Sequence, residues 1–121
     1  MSNKELVQKF YDDIFINGDL SNLNNVMKEN YIQHNPDCED GRIGFEKFIK
    51  HFLSLKPKFE IINISADGNM VYVFFKCIVN DKHINKVCDI YRIEDDMIAE
   101  HWDIIEHNVE NKKSNNSNGL F

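Results

Sequence analysis

The sequence predicts a single α+β domain, with N-terminal helices packed on a curved antiparallel β-sheet. Three observations predict it. Apolar residues recur at helical spacing up to Pro57 and alternate with period two beyond it. Short Asn/Asp/Gly turns separate the alternating runs, which makes neighbouring strands antiparallel. Finally, 121 residues suit one domain, and 42% hydrophobic content with nine Phe suffices for a core without a metal or disulfide.

The elements follow in order. Residues 2–17 read as an amphipathic helix with Leu6, Val7, Phe10, Tyr11, Ile14 and Phe15 on one face. Ser2 and Glu5 stand three apart, as in a capping box, and Gly18 is a left-handed stop. A short second helix is expected over 20–28, with Leu20, Leu23, Val26 and Met27 inward. Pro36 forbids a helix through Tyr31–Pro36 and biases Asn35 to an extended conformation. Residues 37–42 read as a polar loop. A third helix fits 43–55, with Phe45, Phe48, Ile49, Phe52 and Leu53 on one face, and Lys56-Pro57 ends it. Four strands follow over 58–66, 70–80, 83–94 and 97–107. Helices first and a meander after them place the helices on one sheet face. Residues 1–109 make the domain, and 110–121 make a polar tail whose Leu120-Phe121 either docks back or frays.

Charge and composition exclude several function classes. With 20 acidic and 14 basic side chains the net charge is −6, and no basic run exceeds Lys112-Lys113. Nucleic-acid binding is therefore not expected, because phosphate contacts need a basic field. The N-terminal segment lacks the apolar core of a signal peptide and no apolar run is long enough for a membrane span, so a cytoplasmic protein is expected. Cys38, Cys77 and Cys88 are odd in number and form no C-x-x-C, against a disulfide framework. Cys77 and Cys88 read as small buried hydrophobes. The sequence carries no Walker loop, dinucleotide fingerprint, nucleophile elbow or HExxH, and no cofactor is expected.

Period-two alternation points to candidate chemistry. Asp89 shares a strand face with Tyr91 and Ile93, while His101 and Asp103 share one with Ala99 and Ile105. Two carboxylates thus sit in otherwise apolar strands, where burial is costly unless they are paired. If both enter one cavity, their repulsion raises the pKa of at least one, giving a base and a neighbouring acid. The alternative is a solvated sheet face on which both make surface ion pairs. His101 would orient or protonate a ligand, or be an exposed or a satisfied core histidine. His34 and Asn35 would reach a pocket mouth, or Asn35-Pro36 is only a turn. Arg92 and Glu100 would pair across a hairpin, and Trp102 would pack on the core or at an interface. A metal set of His34, His101 and the aspartates is conceivable, but no tight spacing supports it and no metal is expected.

Tyr31-Ile32-Gln33-His34-Asn35-Pro36, Gly41-Arg42 with the Phe45–Phe52 helix, and Asp89 through Ile105 resemble the SnoaL-like polyketide-cyclase relatives. These belong to the nuclear-transport-factor-2-like superfamily, and the resemblance covers almost the whole chain. The Asn-rich tail ending in Leu120-Phe121 is similar to a subgroup described as predicted aldol-condensation enzymes. The resemblance implies a curved antiparallel sheet wrapped by helices into a cone, often dimeric through the open sheet face. In the characterised cyclases an aspartate on the last strand is the acid/base, and the matching position is Asp103. Those cyclases carry a histidine on the preceding strand, where this chain has Asp89. The superfamily also holds isomerases, dehydratases, epoxide hydrolases and proteins without catalysis.

Together these readings predict a cofactor-independent lyase or isomerase acting on a small, partly apolar carbonyl compound. Asp103 would be the base, and protonated Asp89 or His101 would hydrogen-bond the enolate oxygen. His34, Asn35, Tyr31 and Tyr91 would complete the substrate-binding set. The alternatives are a ligand-binding module without chemistry and a dimeric structural protein.

Overall fold

The computed structural model describes residues 1–121. The chain enters helix α1 (Asn3–Phe10) through the capping box its sequence encodes. The Ser2 hydroxyl accepts from the Glu5 N–H at 3.1 Å, and the Glu5 carboxylate takes the Ser2 N–H at 3.3 Å. What the sequence did not predict is that the helix then widens into a π-helical segment, Tyr11–Ile16. There the Asn17 N–H reaches the Asp12 carbonyl, five residues back, at 3.1 Å. All six apolar residues read as the inward face are buried, Tyr11 completely. Gly18, at φ +66°, turns the chain away.

The second helix is shorter than expected. One turn, α2 (Leu23–Val26), leads straight into a strand, β1 (Met27–Gln33). This strand escaped the alternation test because only Met27 and Tyr31 are buried in it, four residues apart as on a helix. Its pairing is irregular between Met27 and Ile32. Helix α3 (Gly41–Ser54) packs Phe45 and Ile49 inward. Gly44 is required there, since a Cβ would lie 2.1 Å from the Glu39 carbonyl oxygen.

Strands β2 (Lys58–Asp67), β3 (Met70–Val79), β4 (His83–Glu94) and β5 (Met97–Glu106) form the expected antiparallel meander. Asn80-Asp81 and Asp95-Asp96 both take positive φ at the β3–β4 and β4–β5 turns. Such pairs match the twist of tight hairpins, and Asn and Asp tolerate the conformation. β1 adds in parallel beside β5, so the sheet is mixed, in the order β1-β5-β4-β3-β2.

The inner sheet face carries Val71, Val73, Phe75 and Cys77 on β3, and Val87, Asp89, Tyr91 and Ile93 on β4, all buried against the helices. A bulge on β5 pairs Arg92 with Glu100 but Ile93 with Ile98. Simple alternation therefore fails at that point, and Ile98 and Ala99 are both buried.

The outer face bears two cross-strand rows, Tyr72–Ile90–Trp102 and Phe74–Cys88–Ile104. One expectation is corrected here: Cys88 is half-buried on the outer face, because it alternates with an inward neighbour. Trp102 lies on the same outer face, so of its two readings the core one drops out. Val109 is buried beside the sheet, and the Glu110 carboxylate accepts from the Ile84 N–H at 2.7 Å. Phe121 stacks on Phe74 with ring centroids 6.2 Å apart. No helix is long and apolar enough to cross a membrane.

Candidate active site

Asp89 and Asp103 are direct partners in the β4–β5 ladder, both on the inner face. They converge on a cavity of about 210 Å³, twelve of whose twenty lining residues are hydrophobic. Phe15, Phe45, Phe48, Phe52, Phe59 and Phe75 supply much of the wall. They narrow the cavity without filling it. Carboxylates at its polar end are therefore poorly hydrated, and their electrostatics are strengthened.

The two aspartates have different surroundings. Asp89 is 6% exposed and bonded on both oxygens. Its Oδ2 accepts from the Tyr11 hydroxyl and, at 3.2 Å, from the Tyr91 hydroxyl, while its Oδ1 faces His101 Nε2 at 3.0 Å. The two tyrosine oxygens lie 2.7 Å apart. Burial, reinforced by the Asp89 charge, pushes both tyrosine pKa values well up, so both hydroxyls keep their protons.

Asp103 is half-buried and has one protein hydrogen bond, from Asn35 Nδ2 to Oδ2 at 2.7 Å. His101 Nε2 stands 3.9 Å from the same oxygen. The Asn35 amide cannot be flipped, because its Oδ1 accepts from the Asp37 N–H at 2.8 Å. Desolvation raises the Asp103 pKa above its ordinary value, and the Asp89 and Asp37 charges add to this. The Asn35 hydrogen bond and His101 oppose it. A carboxylate with one tethered oxygen, one free oxygen and raised basicity is suited to take a proton.

Six of the seven residues singled out from the sequence line the cavity: Tyr31, Asn35, Asp89, Tyr91, His101 and Asp103. His34 is the exception and is corrected. The side chains of Tyr31, Gln33 and Asn35 line the cavity, whereas His34 alternates to the other face. There it stacks on Trp102 with centroids 4.8 Å apart and bonds Glu100 at 2.7 Å. Glu100 also takes Arg92 Nε at 2.9 Å, the cross-hairpin pair the charge pattern predicts.

Two residues of the site were not foreseen. Tyr11 read only as an inward apolar position, although a buried hydroxyl needs a partner. Gln33 stood in the segment that carries the family resemblance, but no role was read for it. Its Oε1 accepts from His101 Nδ1 at 2.7 Å and from the His34 and Asn35 N–H groups at 3.0 Å each.

Nucleophilic thiol chemistry is disfavoured here. Burial, then the charges of Asp103, Asp37 and Asp89, push the Cys38 thiol up to about 11. Burial, then Asp89, pushes Cys77 up to about 12. Potential metal-ligating atoms of Asp89, His101 and Asp103 lie within 4.8 Å of one another. A cation there would compete with the two tyrosine hydroxyls and Asn35 for the same oxygens. His34, part of the metal set weighed from the sequence, is on the opposite face of the sheet.

A curved sheet wrapped by helices around a cavity is the architecture of the nuclear-transport-factor-2-like class of α+β cones. Within that class the chain belongs to the SnoaL-like family, whose domain profile matches residues 7–101. Solved structures agree on the fold. IdmH, a candidate polyketide cyclase from Streptomyces antibioticus, superposes with a TM-score of 0.72 at 15% identity, covering 88% of this chain and 93% of that one. TsrD from Streptomyces laurentii gives 0.70 at 20% identity, over 88% and 92%. An LEH-like epoxide hydrolase from M. tuberculosis gives 0.71 at 16% identity, over 86% and 82%. No curated protein sequence matches the chain.

Proposed function

We propose that the cavity is the active site of a cofactor-independent lyase or isomerase, with Asp103 as the base. The carrying observation is the asymmetry of the carboxylates, Asp89 bonded on both oxygens and Asp103 with Oδ1 free of any protein donor. Asp103 takes a proton from the carbon beside a substrate carbonyl. The C–H electron pair becomes the enolate, and its oxygen takes a hydrogen bond or proton from the His101–Asp89 pair. Asn35 holds Asp103, and Tyr31 and Tyr91 shape the wall. No step needs an oxidant, a reductant or a cofactor.

The substrate in this reading is a small carbonyl compound. The cavity volume is about 210 Å³. It lies below the ~300–1,000 Å³ of drug-sized pockets. A monocyclic ketone suits this volume and a tetracyclic polyketide does not. The test is α-hydrogen exchange into deuterated water, followed by NMR over a panel of small cyclic and aryl ketones. The Asp103→Asn variant should lose exchange while keeping its fold and ligand binding.

The narrow cavity also favours a second reading, a ligand-binding module without chemistry. Tight ketone binding with no exchange in the wild type would select it.

A homodimer through the outer sheet face is part of the proposal. The two apolar rows there lie between a charged row, Lys76–Lys86–Glu106, and the Arg92–Glu100 pair. An apolar strip with a polar rim is the anatomy of an interface, and Ile104 in it is 68% exposed. Sedimentation of Ile104→Lys should show a monomer where the wild type is a dimer.

A further inference from the structure

The side chain of Gln33 has one permissible orientation. Its Oε1 receives the His34 and Asn35 backbone N–H groups, which can only donate. The atom facing them is therefore the oxygen, and Nε2 faces the Tyr31 hydroxyl at 2.9 Å. His101 Nδ1 lies 2.7 Å from that same oxygen. An amide oxygen cannot donate, so Nδ1 must carry a hydrogen.

The consequence reaches Asp89. If the ring is neutral, Nε2 holds a lone pair, and it cannot face a bare carboxylate oxygen at 3.0 Å in a buried site without strong repulsion. Either Oδ1 of Asp89 is protonated and donates to Nε2, or the ring is a cation and donates to Oδ1. Both states place one proton on the Nε2–Oδ1 line. The other Asp89 oxygen already receives Tyr11 and Tyr91. We infer that Gln33 is a positioning residue that fixes the His101 tautomer, so that His101 and Asp89 hold one transferable proton beside Asp103.

This rests on the acid–base reading above and deepens it. The ladder pairs Gln33 with His101 across the parallel β1–β5 contact. The edge strand therefore sets the protonation pattern of the site. Asp103 acts as the base, and the His101–Asp89 pair supplies the hydrogen that the enolate oxygen takes. Without Gln33 the ring is free to adopt the neutral Nε2–H form, in which Nε2 carries the one proton facing ionised Asp89, so the pair holds one proton fewer to give.

Long-range ¹H–¹⁵N correlation of the imidazole nitrogens tests the tautomer without needing turnover. Wild-type protein should show His101 Nδ1 protonated. Gln33→Leu should lower that fraction and cut ketone exchange by roughly 10²-fold, the scale of a general acid–base contribution, with KM little changed. Gln33→Glu keeps the acceptor and should restore the Nδ1–H signature. Asp103→Asn should lose exchange yet keep that signature, which separates failure of the base from failure of the lock. A wild-type His101 with a bare Nδ1 would overturn the inference. So would a folded Gln33→Leu protein with an unchanged signature. If Gln33→Leu does not fold, the wild-type and Gln33→Glu spectra decide it.

Discussion

Asp89 and Asp103 stand opposite one another on adjacent strands, yet they share no hydrogen-bond donor within 3.5 Å. Asp89 is held by two tyrosines and a histidine, whereas Asp103 is held by Asn35 alone. Like charges at such range cannot both be stable in an apolar cavity unless one is neutralised. In the proposed mechanism His101 and the tyrosines hold Asp89, and the half-buried Asp103 is the reactive carboxylate.

Removing the Tyr11 hydroxyl should uncover part of the Asp89 charge. Tyr11→Phe is expected to destabilise the fold by about 1–3 kcal/mol, the cost of depriving a buried acceptor. Urea unfolding measures it. The Tyr11→Phe and Tyr91→Phe effects should not add, because the two hydroxyls share Oδ2 and touch each other.

The pH dependence follows from Asp103. Its pKa in the fold lies above the ordinary 3.8. A raised folded pKa means its stabilising contribution is complete below the unfolded pKa and is lost as pH rises through the folded one. Asp103→Asn should therefore be more stable than wild type at neutral pH and gain least in acid. Turnover needs the ionised base, so the acid limb of its pH profile should fall at higher pH than an ordinary aspartate would give. Thermal melts and exchange rates across pH check both signs.

Gly44 couples helix α3 to the loop that carries Asn35. A Cβ at Gly44 meets the Glu39 backbone carbonyl, so the loop must move. Gly44→Ala should cost roughly 1–3 kcal/mol, as overpacking does, and should weaken turnover by shifting Asn35. Comparing melting temperature with exchange rate in this variant measures both effects.

Much of this was legible in local chemistry. The Ser2–Glu5 box, the Gly18 stop and the Asn/Asp hairpin turns were written in residues whose backbone preferences are strong. Alternation found Asp89, His101 and Asp103 because β4 and β5 are regular around them. It failed on β1, where Lys28, Glu29 and Asn30 lie on an edge strand and the two buried residues mimic a helical repeat. Missing that strand misplaced His34 and hid Gln33, since both assignments need the parallel β1–β5 register. Tyr11 was hidden differently. Its ring satisfies the helix pattern, and only the tertiary structure shows where its hydroxyl goes.

The central claim is that Asp103 removes a proton from carbon. The most direct measurement is α-deuterium incorporation into a small cyclic ketone by wild-type and Asp103→Asn protein at equal occupancy, with the fold of each verified. The account predicts exchange by the wild type and a loss of about 10²-fold or more in the variant, with ligand affinity retained. Equal exchange by the two proteins would contradict it.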